Sequence, residues 1–368
     1  MDHGAGVLGF QRRLVENANS RRERCTGEPG MIDLLVVGGG PAGLATAIHG
    51  AKAGLDVVVV ERRSGPIDKA CGEGLMPHTL RHLERLGVHP HGKPFRGISY
   101  REGKRHVDAP FSRGAGRGVR RTVLHGALLD AAAAVGVRIC HDEVGEISQD
   151  ATSVRAGEWR ARYLAAADGL HSPIRRSLGL ERPSPGVRRW GIRRHVRTEP
   201  WSDFVEVHWA PGAEAYVTPV ADDCVGVAVL KSRRGGFDSH LAEFPELRDR
   251  IEGRPHEPDR AAGPLRQQVS SRAAGRVLLV GDAAGYVDAL TGEGLGLAFG
   301  AAELLVKSVV GQRPQTYDRQ WRQMTRRYRM LTAALLQASA VPPVRARIVP
   351  AAAAMPTIFT GLVNLLAQ

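Results

Sequence analysis

Residues 32–61 decide the fold, and they read IDLLVVGGGPAGLATAIHGAKAGLDVVVVE. The apolar run Ile32–Val37 predicts a short buried strand that feeds a glycine-rich turn. A helical stretch follows, from about Ala42 to Ala53, and a second apolar run at Val57–Val60 predicts another buried strand. Strand, turn, helix and strand make one βαβ unit. The sequence therefore predicts a parallel sheet.

The turn itself carries a phosphate-binding pattern. Gly38, Gly40 and Gly43 fit GxGxxG, in which the first glycine permits the tight turn and the second lets a pyrophosphate approach the backbone. The third lets the helix pack closely on the strand, and the helix N-terminus, with Pro41 and Ala42 in its first turn, presents free N–H groups to the phosphates. A structural glycine turn has the same spacing, so the flanking strand and helix are what favour nucleotide binding.

An acid closes the second strand. Glu61 lies where the carboxylate that accepts a ribose hydroxyl is found in dinucleotide-binding folds. A carboxylate there disfavours a 2′-phosphate, so the bound dinucleotide is predicted not to be NADP. The alternative interpretation is a surface charge at the end of a strand.

Two further motifs indicate which dinucleotide is bound. Residues 168–175 read DGLHSPIR and fit DGxxSxxR, while Gly281-Asp282 follows another apolar run. With these motifs the chain resembles the FAD-dependent superfamily of para-hydroxybenzoate-hydroxylase-like aromatic monooxygenases, geranylgeranyl reductases and flavin-dependent halogenases. The resemblance covers about residues 31–310.

The element order and the resemblance together predict an α/β fold, α+β overall. We expect a Rossmann-like FAD-binding domain with a parallel sheet, interrupted by a substrate domain with a mainly antiparallel sheet, and followed by C-terminal helices. The expected parts are a flexible N-terminal extension (1–30), a discontinuous FAD-binding domain (31–95, 115–185 and 265–312), a substrate domain (96–114 and 186–264) and C-terminal helices (313–368).

The resemblance implies FAD as cofactor and NAD(P)H as reductant. The cofactor-binding residues that it implies are Gly38, Gly40, Pro41, Ala42, Gly43, Glu61, Arg62, Arg121, Asp168, Asp282, Gly292, Gly294 and Leu295. Among them Arg121 would contact the flavin side, with Arg120 as the alternative, and Asp282 would bind the ribityl chain. Asp168 and Arg175 would also support NAD(P)H, although Arg175 could equally support the fold through a carboxylate.

Residues expected near the flavin do not decide between the monooxygenase and the reductase branches of the family. Cys71 and Glu73 lie in a Cys-Gly-Glu-Gly turn that resembles geranylgeranyl reductases, and Cys71 is either a small apolar filler or a reactive thiol. The DGxxSxxR stretch favours a hydroxylase, and the absence of the WxWxIP signature argues against a halogenase. Tyr216, Trp209 and Trp190 are candidate substrate-wall residues, or else core aromatics. No catalytic side chain is assigned.

The resulting prediction is an FAD-dependent monooxygenase of secondary metabolism. It would use NAD(P)H and O₂ to hydroxylate an aromatic, polyketide or phenolic-lipid-like molecule through a flavin C4a-hydroperoxide. The alternative is a geranylgeranyl-reductase-like flavoprotein that reduces isoprenoid double bonds.

Composition limits the partners and the compartment. Lys and Arg number 51 and Asp and Glu 38, which gives a net charge of +13. The arginines are scattered without interleaved aromatics, so no nucleic-acid partner is predicted. The four cysteines are far apart, which predicts neither a disulfide framework nor a metal site and fits the cytoplasm. The basic stretch Arg313–Arg329 and the apolar stretch Ile348–Leu366 leave peripheral membrane contact open, against C-terminal helices packed on the FAD domain.

Overall fold

The structure is a computed structural model, and it describes residues 30–367. The α-helices are α1 Pro41–Lys52, α2 Pro77–Leu86, α3 Arg121–Ala134, α4 Pro173–Ser177, α5 Phe237–Leu241, α6 Pro245–Ile251, α7 Gly294–Val310, α8 Tyr317–Ala340, α9 Pro342–Arg345, α10 Ile348–Ala354 and α11 Pro356–Leu366. Short 3₁₀ helices span Gly281–Ala284 and Pro314–Thr316. The predicted extension at 1–30 lies, except for Gly30, outside the described residues.

The strands are β1 Ile32–Val37, β2 Val57–Val60, β3 Gly74–Leu75, β4 Lys93–Phe95, β5 Gly97–Glu102, β6 Arg105–Pro110, β7 Gly116–Gly118, β8 Arg138–Cys140, β9 Ile147–Gln149, β10 Val154–Ala156, β11 Trp159–Ala166, β12 Glu181–Arg182, β13 Trp190–Arg197, β14 Val205–Ala210, β15 Ala213–Ala221, β16 Cys224–Lys231, β17 Arg260–Ala262, β18 Gln268–Val269, β19 Ala273–Ala274 and β20 Val277–Leu279.

The first sheet is built around the βαβ unit. Its order is β19-β20-β11-β1-β2-β8, and the neighbours from β20 to β8 are parallel. Val57–Val60 is buried at every position, as expected for a parallel strand covered on both faces. The core of this part also contains side chains of α1, α3 and α7. The carboxyl ends of β1, β2 and β11 consequently open at one edge of the sheet.

The second sheet comprises seven strands in the order β17-β13-β16-β15-β14-β5-β6. All its pairs are antiparallel except β14 with β5. Buried side chains of α5 and α6, including Phe237 and Leu247, cluster with one face of this sheet. The strands of residues 97–110 and 190–262 thus pair with each other, although the DGxxSxxR motif at 168–175 lies between them in the sequence.

Three short strands, β3, β7 and β4, form a small sheet of their own. The sequence of this region has no clear period, because the strands are two or three residues long and rich in glycine and proline. By contrast, α7 is a 17-residue helix, long enough to show a helical period in its own sequence. Long periodic elements are therefore legible from the sequence, and short edge strands are not.

The C-terminal helices pack on the edge of the second sheet. Both α10 and α11 contact β6, and Asn364 donates to the backbone oxygen of Pro110 at 2.9 Å. In the described part of the chain, no single helix has the length and apolar character to cross a bilayer. The segments Pro342–Ala354 and Pro356–Leu366 reach that length only together, and they are bent by 104°.

Cysteine pairing departs from the sequence prediction at one position. Cys71 and Cys224 are free thiols, whereas Cys140 is disulfide-bonded. The expectation that disulfides are absent is therefore wrong for Cys140. Spacing excludes a CxxC pair, but it does not say which distant cysteines the fold brings together.

Candidate active site

A cavity of about 1150 Å³ lies at the carboxyl edge of the first sheet and extends to the second sheet and α11. In open parallel sheets, nucleotides bind outside the carboxyl ends of the strands. Pockets for a single small ligand usually measure roughly 300–1000 Å³. This cavity therefore has room for a large cofactor and a substrate together.

The glycine turn lines one end of the cavity. Gly38 has φ 105°, and a Cβ there would lie 2.4 Å from the backbone oxygen of Ala167. A Cβ on Gly43 would lie 1.9 Å from the oxygen of Gly38. Both glycines are thus required by the fold itself. A Cβ on Gly40, by contrast, would meet no protein atom within 4 Å, so the space in front of Gly40 at the N-terminus of α1 is open to a ligand.

Glu61 is tied to this turn. Its Oε2 accepts a hydrogen bond from the N–H of Gly39 at 2.8 Å, and its Oε1 accepts from the backbone and side chain of Arg63 at 3.0 Å. Burial opposes ionisation, but these hydrogen bonds outweigh it and lower the pKa of Glu61 below its ordinary value. Glu61 is therefore a carboxylate at the cavity wall, and the exposed Arg62 lines the cavity beside it.

The DGxxSxxR motif is divided between the cavity and the core. Asp168 lines the cavity, and its Oδ1 is buried without a protein partner. Arg175 is fully buried and donates to the backbone oxygens of Leu170 and Ala283 at 2.9 and 3.2 Å. Arg175 does not line the cavity, because its guanidinium ties loops together inside the core and pairs with Glu181, as the alternative interpretation expected. A contact with NAD(P)H stays a prediction.

The same motif contains a helix cap. The Ser172 hydroxyl accepts from the N–H of Arg175 at 2.9 Å and caps α4. Burial raises the pKa of Asp168, although hydrogen bonds from Ser172 and Ile174 oppose the shift. Much of this motif thus has a structural explanation.

Asp282 and two cations meet at the centre of the cavity. The Asp282 side chain is exposed to the cavity. Desolvation by the surrounding protein raises the pKa of its carboxyl, and the positive charges of Lys69 and then of Arg121 oppose this shift. Lys69 also lines the cavity, and burial lowers its pKa. The sequence analysis missed Lys69, whose one signal is its position two residues before Cys71.

The choice between the two adjacent arginines is settled by their contacts. Arg121 lines the cavity, and its Nε is buried without a partner. Arg120 forms an ion pair with Glu257 instead and does not line the cavity. Arg121 is therefore the arginine placed to contact a ligand.

The Cys-Gly-Glu-Gly turn places one residue in the cavity and buries another. Cys71 lines the cavity, and burial raises the pKa of its thiol, so the sulfur keeps its proton at neutral pH. The Glu73 side chain is 0% exposed and accepts from the N–H of Arg121 at 2.8 Å. It lies on the cavity wall as a supporting group, with His195 as its other partner at 2.7 Å.

The turn after Asp282 completes the nucleotide half. Gly292 has φ 72°, and Gly292, Gly294 and Leu295 line the cavity where α7 begins. A helix N-terminus there presents N–H groups and a positive dipole end. Glu293 also lines the cavity, and its Oε2 lies 2.8 Å from His78 Nε2, a contact that was not predicted.

The far half of the cavity is a chamber of apolar side chains, which we call the apolar chamber. It is formed by Ile98, Tyr100, Phe111, Val205, Val207, Tyr216, Ala228, Leu230, Leu265, Leu290, Val363 and Leu366. The Tyr216 hydroxyl is occupied, because it donates to the oxygen of Leu290 at 2.8 Å. Of the three candidate aromatics only Tyr216 lines the cavity; Trp209 is buried against Tyr100 and Trp190 packs under Arg234.

The residues present fit an extended flavin nucleotide. Gly40 faces open space, and Asp168 Oδ1 and Arg121 Nε are buried polar atoms on the cavity wall that lack protein partners. Such atoms in native proteins are normally satisfied by a ligand or water. No group of three metal-ligating side chains occurs among residues 30–367.

Comparisons with known proteins agree with this geometry. A sequence family described as an FAD binding domain matches residues 31–310. A menaquinone reductase of Mycobacterium tuberculosis (strain H37Rv) is 31% identical over 311 residues, which cover 74% of this chain and 76% of that protein. Digeranylgeranylglycerophospholipid reductase 2 of Methanopyrus kandleri is 28% identical over 300 residues, covering 72% and 73%.

Solved structures share the fold at lower identity. The crystal structure of p-nitrophenol 4-monooxygenase from Pseudomonas putida DLL-E4 superposes with a TM-score of 0.75 at 21% identity, covering 88% of this chain and 94% of that one. The family resemblance and the fold class expected from the sequence are thereby confirmed. The chain belongs to the FAD-binding-domain family and is an FAD-dependent oxidoreductase.

Proposed function

We propose that this enzyme is a reductase that saturates carbon–carbon double bonds of an isoprenoid, lipid-like substrate, with NAD(P)H as the reductant. The observation that carries the proposal is the apolar chamber, most of whose side chains form one hydrophobic cluster that lines the cavity. Its charged neighbour on the second sheet is Arg193, which lies opposite Ala228 and is paired with Asp68. Burying an apolar chain in the chamber is favourable by about 25 cal/mol per Å².

Each part of the cavity has a separate task. Gly40 and the N-terminus of α1 would bind the pyrophosphate, Glu61 the adenosine ribose, and Asp282 the ribityl chain. Arg121 and the turn at Gly292–Leu295 would contact the flavin ring. When bound, reduced FAD supplies a hydride to one carbon of the double bond. The second carbon needs a proton, and Cys71 lines the cavity with its proton retained.

The relatives favour a reductase over the predicted hydroxylase. Two relatives at 31% and 28% identity are named as reductases, and the monooxygenase likeness at 21% identity concerns the fold. The motif that favoured hydroxylation, DGxxSxxR, owes its Ser and Arg to capping and core contacts. Hydroxylation through a C4a-hydroperoxide stays a prediction that the same experiment tests.

The test is anaerobic incubation of the FAD-loaded enzyme with NADH or NADPH and a geranylgeranyl lipid, a polyprenyl quinone or a phenol panel, followed by mass analysis. A gain of two hydrogens per double bond without O₂ supports the proposal. A gain of one oxygen that requires O₂, with no saturation, would overturn it.

A chamber-filling variant links the result to the cavity. Ala228→Phe should abolish turnover of the long substrate while the flavin spectrum persists, because Ala228 lies in the apolar chamber. Ala134→Phe, at an exposed position near the end of α3, is the matched control and should behave as wild type.

A further inference from the structure

Exposed apolar side chains are concentrated near the C-terminus. Ten large apolar side chains are exposed on the described surface, and six of them fall between residues 330 and 362. These six are Met330, Val341, Val344, Met355, Ile358 and Leu362. Single exposed apolar residues are common, whereas apolar residues that share one exposed face mark an interaction surface.

Helix α11 has two apolar faces. Its inner face is occupied, because Phe359 is buried with its ring 4.6 Å from that of Tyr100, and Val363 and Leu366 line the apolar chamber. Its outer face carries Ile358 and Leu362, which are 58% and 49% exposed and lie four residues apart, hence on one side of the helix. The inner face thus closes the cavity, and the outer face is left without a partner within the described chain.

The C-terminal region carries a large excess of positive charge. Residues 319–368 contain seven arginines and no lysine, aspartate or glutamate. Arg326, Arg327 and Arg347 are exposed. Lys104 and Arg105, at the start of strand β6 on which α10 and α11 pack, are exposed as well. The same strand also carries one exposed acid, Asp108, which offsets only part of this positive charge.

We propose that the segment α9–α11 docks on the surface of an anionic lipid bilayer, with Ile358 and Leu362 inserted and the basic side chains of Arg347, Lys104 and Arg105 on the headgroups. An apolar face next to basic side chains is the composition of helices that lie in the interface plane. A second copy of this chain is the less suitable occupant, because a two-fold contact would bring the same arginines together.

The position of the surface agrees with the chemistry of the cavity. The helix that would lie on the lipid is the helix that closes the apolar chamber, so an isoprenoid chain could pass from the bilayer to the flavin beside α11. This last step rests on the proposed function; docking itself does not.

The test is flotation of the full-length FAD-loaded protein with vesicles of phosphatidylcholine and phosphatidylglycerol (3:1), or of phosphatidylcholine alone, at low and high salt. Wild type should float with the anionic vesicles and release as salt rises. The double variant Ile358→Asp/Leu362→Asp should float at least about tenfold less. The matched control Val187→Asp/Val310→Asp replaces two side chains of comparable exposure outside this segment and should float as wild type does.

Fold integrity is read from the flavin spectrum and the unfolding curve of each variant. Absence of flotation, or equal flotation of both double variants, would overturn the docking surface. If Ile358→Asp/Leu362→Asp floated as wild type does but no longer formed dimers in sedimentation, the outer face of α11 would be a contact with a second copy of the chain. Because flotation needs no turnover, failure of the reductase assay alone leaves the docking result standing.

Discussion

The Nε2 of His195 lies 2.7 Å from the Oε2 of Glu73, and this contact joins the second sheet to the loop that lines the flavin half of the cavity. Both side chains are buried. On its other side, His195 Nδ1 lies 3.0 Å from Glu257 Oε2. Glu73 also has φ 60°, a left-handed conformation that residues with a side chain rarely adopt. Strong contacts are needed to hold it there.

The first prediction concerns this contact. Glu73→Ala leaves Nε2 of His195 and the N–H of Arg121 without their hydrogen-bond partner, and leaving a buried polar group unsatisfied costs about 1–3 kcal/mol. We expect a loss of that order in the free energy of unfolding measured in urea. Glu73→Gln, which keeps an acceptor, should lose less. The exposed Glu158→Ala is the control, and a Glu73→Ala protein as stable as this control would contradict the structural role.

The second prediction separates two glycines of one motif. Gly40→Ala adds a methyl group that meets no protein atom, so the apoprotein should keep its stability while the affinity for FAD falls by about tenfold or more, or ~1.4 kcal/mol. Gly43→Ala should destabilise the apoprotein itself, because its Cβ would overlap the oxygen of Gly38. Chemical unfolding of the apoprotein and FAD titration measure the two effects.

A helical glycine provides the control for these substitutions. Gly126 lies within α3, and a Cβ there would meet nothing within 4 Å. Gly126→Ala should stabilise the helix by up to about 1 kcal/mol without changing FAD affinity. If Gly40→Ala binds FAD as this control does, the open space at Gly40 is not where the pyrophosphate lies.

Much of the nucleotide half could be predicted from the sequence because its signals are local. The run at Val57–Val60, the glycine turn and the helix Gly294–Val310 each carry their own period or fixed spacing, and a parallel sheet then places their ends at one edge. The residues named from these patterns line one cavity, apart from Gly43, which packs against the oxygen of Gly38, and apart from three larger side chains, Arg175, Trp190 and Trp209. For those three, residue type alone does not distinguish a cavity wall from a core position.

The rest depends on contacts between distant segments. Glu73 and His195 are 122 positions apart, and nothing in either local sequence indicates their pairing. Helix α11 reaches the apolar chamber only because the edge strand β6 supports it. Lys69 lies in a loop without periodicity, where side-chain direction follows from the packing of the whole domain. Such relationships arise from tertiary structure and leave no pattern in a single sequence.

The third prediction concerns Asp282, whose side chain lines the cavity and is exposed there. Because an exposed carboxyl contributes little to folding, Asp282→Asn should leave the free energy of unfolding of the apoprotein within about 0.5 kcal/mol of wild type. The same variant should lose FAD.

Urea unfolding of the apoprotein and flavin absorbance measure the two outcomes for Asp282→Asn. Asp142→Asn, at an exposed position on the cavity rim, is the control and should keep FAD. Full FAD occupancy in Asp282→Asn would contradict the assignment of this carboxylate to the cofactor site.

The fourth prediction concerns His82 on α2. Burial, followed by the neighbouring His78, lowers the pKa of His82 to about 4, and its Nδ1 is buried without a partner. A histidine that must stay neutral in the folded state contributes stability above its ordinary pKa of about 6.5, and this stability is lost as pH falls towards 4. The ring protons of His82 should therefore titrate near pH 4 in NMR spectra. His82→Asn should flatten the decline of the unfolding free energy between pH 6.5 and 4. The control His106→Asn, at an exposed position, should leave this decline as in wild type. A His82 signal that titrates at its ordinary pKa would contradict the prediction, because it would show that the imidazole is hydrated.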